Sequence, residues 1–219
     1  MHFMSIEVAA QQFLFIPPNP TAKPSDLDEF RRARKREIEM AEADVPFSHN
    51  HLHDLESLWW VTVWVIFYRS FSDGTTPRDR LTLQDAKDQL DLAENLFPAV
   101  PASTARRDSF QIAKSFQKTC DQLPHDKEDA CFGLDFLREQ LIKHYMAIEA
   151  NYPHIHPIAS TNDIYDDFIQ TFTALKTRYH GFALESIQEI FAELSKPEGK
   201  RPRSESMNDP RVAQKTARK

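Results

Sequence analysis

Apolar positions recur at helical spacing through most of the chain. Thr82 stands before Leu83, Ala86, Leu90, Ala93 and Phe97, which share one face, and Pro98 and Pro101 end that run. A threonine at such a start accepts hydrogen bonds from the first free N–H groups of a helix. Phe110, Ala113, Phe116, Cys120 and Leu123 follow at steps of three and four up to Pro124, which predicts one continuous helix. A third run starts near Asp126 and aligns Leu134, Leu137, Leu141, Tyr145 and Ile148. A loop rich in proline, Tyr152 to Pro157, separates it from two more helical runs. These are Asp163 to Arg178, with Ile164, Phe168, Phe172 and Leu175 in phase, and Leu184 to Leu194, with Gly181 between them as a stop. The segment from Asp54 to Tyr68 differs. Beyond the polar first turn of Asp54, Glu56 and Ser57 it is apolar on nearly all sides, which demands burial in the middle of a fold. Its β-branched residues also suit a strand; its length favours a helix. Ser72-Asp73-Gly74 reads as the turn that follows. No stretch alternates in the manner of a strand, so the fold class is mainly α.

The two ends differ from this body. Pro17, Pro18, Pro20 and Pro24 make a linker, and Ser25 with Asp28 resembles a capping box opening a solvated helix over 26–43, with charge pairs such as Asp28–Arg32. From Lys196 to Lys219 there are eight bases and three acids, and almost no large apolar residue. Such a segment buries too little to order itself, so 196–219 reads as a disordered basic tail of net +5, leaving −11 on residues 1–195.

Composition narrows the function. The 219 residues suffice for one domain with appendages. Acids exceed bases by 33 to 27, which excludes a global nucleic-acid footprint. The four glycines are scattered, so there is no glycine-rich phosphate cradle. Cys120 and Cys131 form no disulfide framework, and a reducing compartment follows. The start at Met1 carries no basic leader, and the longest apolar run, Leu58 to Tyr68, is too short for a membrane span of roughly 20 residues. The expectation is an intracellular protein of cytoplasm or nucleus with no membrane association.

Two strings resemble a known family. Phe3-Met4-Ser5-Ile6-Glu7-Val8 and His53-Asp54-Leu55-Glu56-Ser57-Leu58-Trp59-Trp60-Val61 occur in this order, with a variable insert at 17–46 between them. They are similar to the C-terminal-lobe portion of the fungal-type protein kinase domain, over about Phe3 to Phe71. The resemblance implies that the first string ends an activation segment and that the second opens the buried central helix of a helical lobe. It implies that Met4 and Ser5 belong to a substrate-side platform. Glu7 would pair with an arginine of a later helix. Asp54, beside His53, would sit at the helix start and accept hydrogen bonds from catalytic-loop backbone. The parent reaction would transfer the ATP γ-phosphate to a protein hydroxyl, with Mg²⁺.

The parts that perform that reaction have no counterpart in this sequence. Arg106-Arg107-Asp108 is followed by Ala113 where a catalytic loop carries Asn, Ser72-Asp73-Gly74 lacks the phenylalanine of a metal motif, and Val212-Ala213-Gln214-Lys215 falls in the tail. Phosphoryl transfer depends on those parts to hold Mg²⁺ and phosphates. The chain is therefore expected to be a lobe without catalytic, cofactor or metal residues of its own, needing a missing N-lobe or another protein partner. The alternative is a non-catalytic helical interaction module derived from such a lobe.

Other groupings yield to plainer readings. His49, His51 and His53 alternate as metal ligands on a strand would, but they follow Pro46 and precede a helix, which reads as a polar loop. His154 and His156 are two ligands without a third. Cys120, His125 and Cys131 could supply three zinc ligands, but Cys120 fits an apolar helix face. The basic run Arg31 to Arg36 is flanked by acids and reads as a solvated helix; Lys200-Arg201-Pro202-Arg203 is the better localisation string. Trp59, Trp60 and Trp64 read as core.

Overall fold

A computed structural model describes residues 3–15, 27–28, 31, 34–35, 38, 47–72, 81–98, 103–150 and 163–196. The chain forms a short helix α1 (Ile6–Ala10), and after residue 47 it enters the central helix α2 (His51–Tyr68). Length and capping decide the ambiguous apolar run. Eighteen residues exceed any ordinary strand, and Asn50 closes a capping box in which its side chain accepts from the first turn while His53 accepts from the Asn50 N–H. The helix starts three residues before Asp54. His51 and His53 are thus helical rather than part of a loop, which corrects the polar-loop reading.

Around α2 pack α3 (Leu83–Leu96), α4 (Thr104–Gln111), α5 (Ala113–Cys120), a 3₁₀ turn (His125–Lys127), the long α6 (Glu128–Glu149), α7 (Asp163–Arg178) and α8 (Ile187–Leu194). Helix α2 lies against α3 and α6; α6 also carries α5 and α7, and α8 closes on α3. Thr82 caps α3 as its position predicts, in a capping box with Asp85. All five apolar positions predicted for α6 are buried. The centre is aromatic: Trp59 meets Trp60, Phe110 and Phe116 at 4.7, 5.2 and 5.3 Å between ring centroids, and its Nε1 donates to the Leu134 carbonyl at 2.8 Å. Burying rings while satisfying the one indole donor combines hydrophobic gain with no orphaned polar group. Helices α6 and α7 approach closely at Gly133, where a Cβ would meet Thr171 Cγ2 at 3.1 Å.

Several expectations are corrected. The run from Phe110 to Leu123 is two helices, broken at Ile112, whose backbone is extended (φ −110°, ψ 106°). Two strands exist, β1 (Arg69–Ser72) and β2 (Ala183–Ser186), antiparallel with Arg69 opposite Ser186 and Phe71 opposite Leu184. Ser72 therefore belongs to a strand, and the helix predicted from Leu184 starts at Ile187. Leu83 is exposed, whereas Gln89 of the same helix is buried. Gly181 adopts φ +84°, the left-handed conformation its role as a stop requires. Leu27, Asp28, Arg31, Arg34, Lys35 and Ile38 are helical and exposed, and Asp28 pairs with Arg31 at 3.6 Å. Arg32, the rest of the 17–46 insert, Asp73-Gly74, the Tyr152–Pro157 loop and the tail from 197 lie outside the described residues. Among the described residues no helix is long and apolar enough to cross a membrane.

Candidate functional site

The two familiar strings meet in the core. Ser5 is buried and caps α1, its Oγ accepting from the Val8 N–H at 3.2 Å. The next amide, Ile6 N, donates to Glu56 Oε1 of α2 at 2.8 Å. Gln11 ends α1 in the left-handed conformation (φ 53°) and donates its backbone N–H to the Glu7 carbonyl. This reversal brings residues 13–15 back over α1. The Leu14 N–H then donates to Glu7 Oε1, and the Phe15 N–H donates to Glu149 Oε2 of α6 at 2.8 Å. Phe15 stacks on Tyr145 at 4.7 Å between centroids, with planes 12° apart. Three buried glutamates, from α1, α2 and α6, each accept one backbone N–H of the segment 3–15.

Their side chains are linked further. His53 Nδ1 accepts the Asn50 N–H at 2.8 Å, so the neutral ring carries its proton on Nε2 and donates it to Glu7 Oε2 at 3.0 Å. Tyr145 donates its hydroxyl to Glu56 Oε2 at 2.9 Å, and Trp60 Nε1 donates to Glu56 Oε1 at 3.0 Å. The Glu7 and Glu149 carboxyls, which accept from the adjacent Leu14 and Phe15 amides, are close enough to act on each other, and a facing pair of buried carboxyls favours one proton between them. Among the described residues Glu149 Oε1 is buried and accepts from no donor, which suits an oxygen that carries that proton.

Burial sets the protonation. Desolvation pushes Glu56 up to about 7 despite its three donors and the nearby Arg106 charge. It pushes Glu7 up to about 7, and Glu149, facing Glu7, up to about 9. It holds His53 down to about 4, with His49 adding repulsion. Below about pH 7 the cluster is a set of neutral acids around a neutral imidazole, and above it the Glu7–Glu149 pair keeps one proton. Arg106 lies over Trp60 at 4.3 Å and donates Nη2 to the Met4 carbonyl at 2.8 Å.

Four of the five residues singled out by sequence fall around this cluster; Asp54 does not. Its side chain is 79% exposed, 3.5 Å from His49 Nε2. Glu7 meets a histidine, His53, where the resemblance implies an arginine, and the Arg106 guanidinium instead holds the Met4 carbonyl beside α1. Met4 is half-exposed. Glu56, Arg106, Tyr145 and Glu149 were not anticipated as site residues. Glu56 left a signal, a carboxylate inside an otherwise apolar helix; Tyr145 and Glu149 look like ordinary positions of α6.

Two further features bear on function. Asp54, Leu58, Val61, Thr62 and Val65 recur along one side of α2, and that side is open: Leu58 is 44% exposed, and Val61, Thr62 and Val65 are half-buried. Next to it, Trp64 Nε1 is buried with no acceptor among the described residues. The Cys120 and Cys131 thiols touch, and that contact with burial pushes the Cys120 thiol up. His125 is exposed, and among the described residues no three His, Cys, Asp or Glu side chains converge as a metal site. A depression lined by Ile169, Thr173, Ala174 and Thr177 runs along α7, remote in sequence from every residue of the cluster. The side chains of the cluster are buried, and what they can do is bind backbone amides and hold protons. No protein-family model, curated protein or solved structure matches this chain.

Proposed function

We propose that the chain is the C-terminal-lobe portion of a fungal-type protein kinase, serving as the scaffold and substrate-side platform of a protein phosphotransferase. The observation that carries the reading is the Glu7–His53 bond. It joins the two strings of the resemblance, through residues 46 positions apart, at the foot of a central helix. The open side of α2 supports it as well. A helix apolar on nearly all sides is written to be covered, and the uncovered Leu58, Val61 and Val65 are the surface on which the rest of a kinase would rest. With no catalytic-loop or metal motif in this sequence, the chain alone transfers no phosphate; ATP and Mg²⁺ belong to the parent enzyme.

The test is the transcript read upstream of Met1. In-frame Gly-Thr, Asp-Phe-Gly and His-Arg-Asp strings are expected. The joined polypeptide should then phosphorylate a protein hydroxyl, and Leu58→Glu with Val65→Glu should abolish that activity while leaving this lobe folded. A transcript beginning at Met1 with no such strings would remove the kinase activity and leave the second reading, a helical interaction module. That reading is favoured by the exposure of Phe132 (79%) and Ile169 (63%) on neighbouring helices, apolar surface of the kind partners cover.

A further inference from the structure

The segment 3–15 is held in an unusual way. Its apolar anchors are the buried Ile6 and Phe15, with Phe3 and Leu14 packed against the core beside them. Its amides at Ile6, Leu14 and Phe15 end on three different carboxyl groups, all inside the protein. Two of these, Glu7 and Glu149, face each other, and a facing pair of buried carboxyls is stable only while a proton lies between them.

We propose that residues 3–15 form a proton-dependent latch: the proton shared by Glu7 and Glu149 keeps the segment closed on α2 and α6, and its loss to solvent releases Leu14 and Phe15. Among the described residues the surroundings give the doubly ionised pair no relief. From α2 the facing groups are His53 and Glu56, with His49 and Asp54 behind His53. From α6 they are Tyr145 and Glu149 itself, and from α4 Arg106. Arg106 is the cation of this set, and it acts on Glu56. His53 is a donor to Glu7 as a neutral ring and takes no second proton in the range where the acids lose theirs. Two like charges in a dry site then separate by the movement that costs least, and the end of the segment that carries the two amides is held there by their hydrogen bonds, the half-buried Leu14 and the buried Phe15. Opening exposes the Tyr145 ring on which Phe15 stacks. The inference does not depend on the kinase reading.

Amide hydrogen exchange of the full chain, corrected for intrinsic rates, tests it between pH 7 and 8.5, where the pair holds one proton. One proton released on opening makes the opening equilibrium grow about tenfold per pH unit. The Leu14 and Phe15 amides should lose protection by about that factor per unit, while exchanging faster than Leu137 and Leu141 in the core. Glu149→Gln keeps an acceptor for Phe15 and a donor for Glu7 but cannot ionise, and should flatten the dependence. If that variant fails to fold, Glu7→Gln reads the same slope. Protection of Leu14 and Phe15 that is independent of pH in the unaltered chain would overturn the latch. So would an unchanged slope in a folded variant, or exchange at the same rate as the core amides, which would mean global unfolding only.

Discussion

His53 shows how much one side chain can settle. Its Nδ1 completes the cap of α2 and so forces the proton onto Nε2, where it serves Glu7. Replacing it removes a cap, a buried donor and a ring wedged between His49 and Tyr145. A buried acceptor left unmade costs about 1–3 kcal/mol, and a lost cap about 1 kcal/mol. His53→Ala is therefore expected to lose about 2–4 kcal/mol in urea denaturation. His53→Phe retains the bulk without the nitrogens and is expected to lose nearly as much. A His53→Phe protein as stable as the original would show that packing, not the Asn50–His53–Glu7 chain, holds this end of the helix. At the other end of α2, buried Gln89 donates to the carbonyls of Phe67 and Arg69, at 2.7 and 3.2 Å, and Lys127 Nζ donates to Arg69 at 2.7 Å. The Phe67 carbonyl is among the last of the helix, which have no partner within it, and Arg69 is the extended residue that caps its end. Gln89→Leu has similar volume and no donor; a loss of about 1–3 kcal/mol is expected by the same denaturation, and a neutral result would mean that Lys127 suffices.

At the scale of elements, what was legible in the sequence depends on length and on breakers. Helices α3, α6 and α7 run 14 to 22 residues, long enough for a 3.6-residue period to stand out, and their ends carry Thr82, prolines and Gly181. Strands β1 and β2 are four residues each, too short to show alternation, and they exist because the chain leaving α2 finds a partner more than 100 residues later. The break at Ile112 has no proline or glycine to announce it. The apolar phase continues across it, so the pattern predicts one helix where the backbone makes two. That break leaves α5 without a side-chain cap, because Ile112 occupies the cap position with an exposed side chain. Its backbone is already extended, as a capping residue requires. Ile112→Ser should therefore stabilise the protein by about 0.5–1 kcal/mol, seen as a rise in the denaturation midpoint at unchanged slope. A fall would mean that the half-buried part of the isoleucine contributes more than the free N–H groups of α5 cost.

For the whole molecule, the sequence disclosed the two strings but not what joins them. Glu7 and His53 stood out through resemblance; that they meet, and that Glu149 and Tyr145 complete the cluster, follows from tertiary packing between segments far apart in sequence. The consequence is a dependence of stability on pH that composition alone does not suggest. Glu7, Glu56 and Glu149 titrate in the fold above their ordinary value of 4.5, at about 7, about 7 and about 9. A raised carboxyl contributes stability that is complete below its unfolded value and is lost as pH rises toward its folded value. The buried bases oppose this in other ranges. His53, His51 and His144 are held below 6.5 in the fold, so their contribution is present above 6.5 and lost only on acidification. Lys127 is held down to about 8 by burial, so the folded and unfolded chains are both protonated there below 8, and its effect changes only between 8 and 10.5. Between pH 6.5 and 8 the histidines and Lys127 are therefore quiet and the glutamates act alone. The urea midpoint is expected to fall steadily across that window, and to fall less in Glu149→Gln. A midpoint that stays level or rises would show that these carboxyls are already ionised in the folded protein, with water or a cation beside them, and that the buried cluster is not the store of protons its geometry describes.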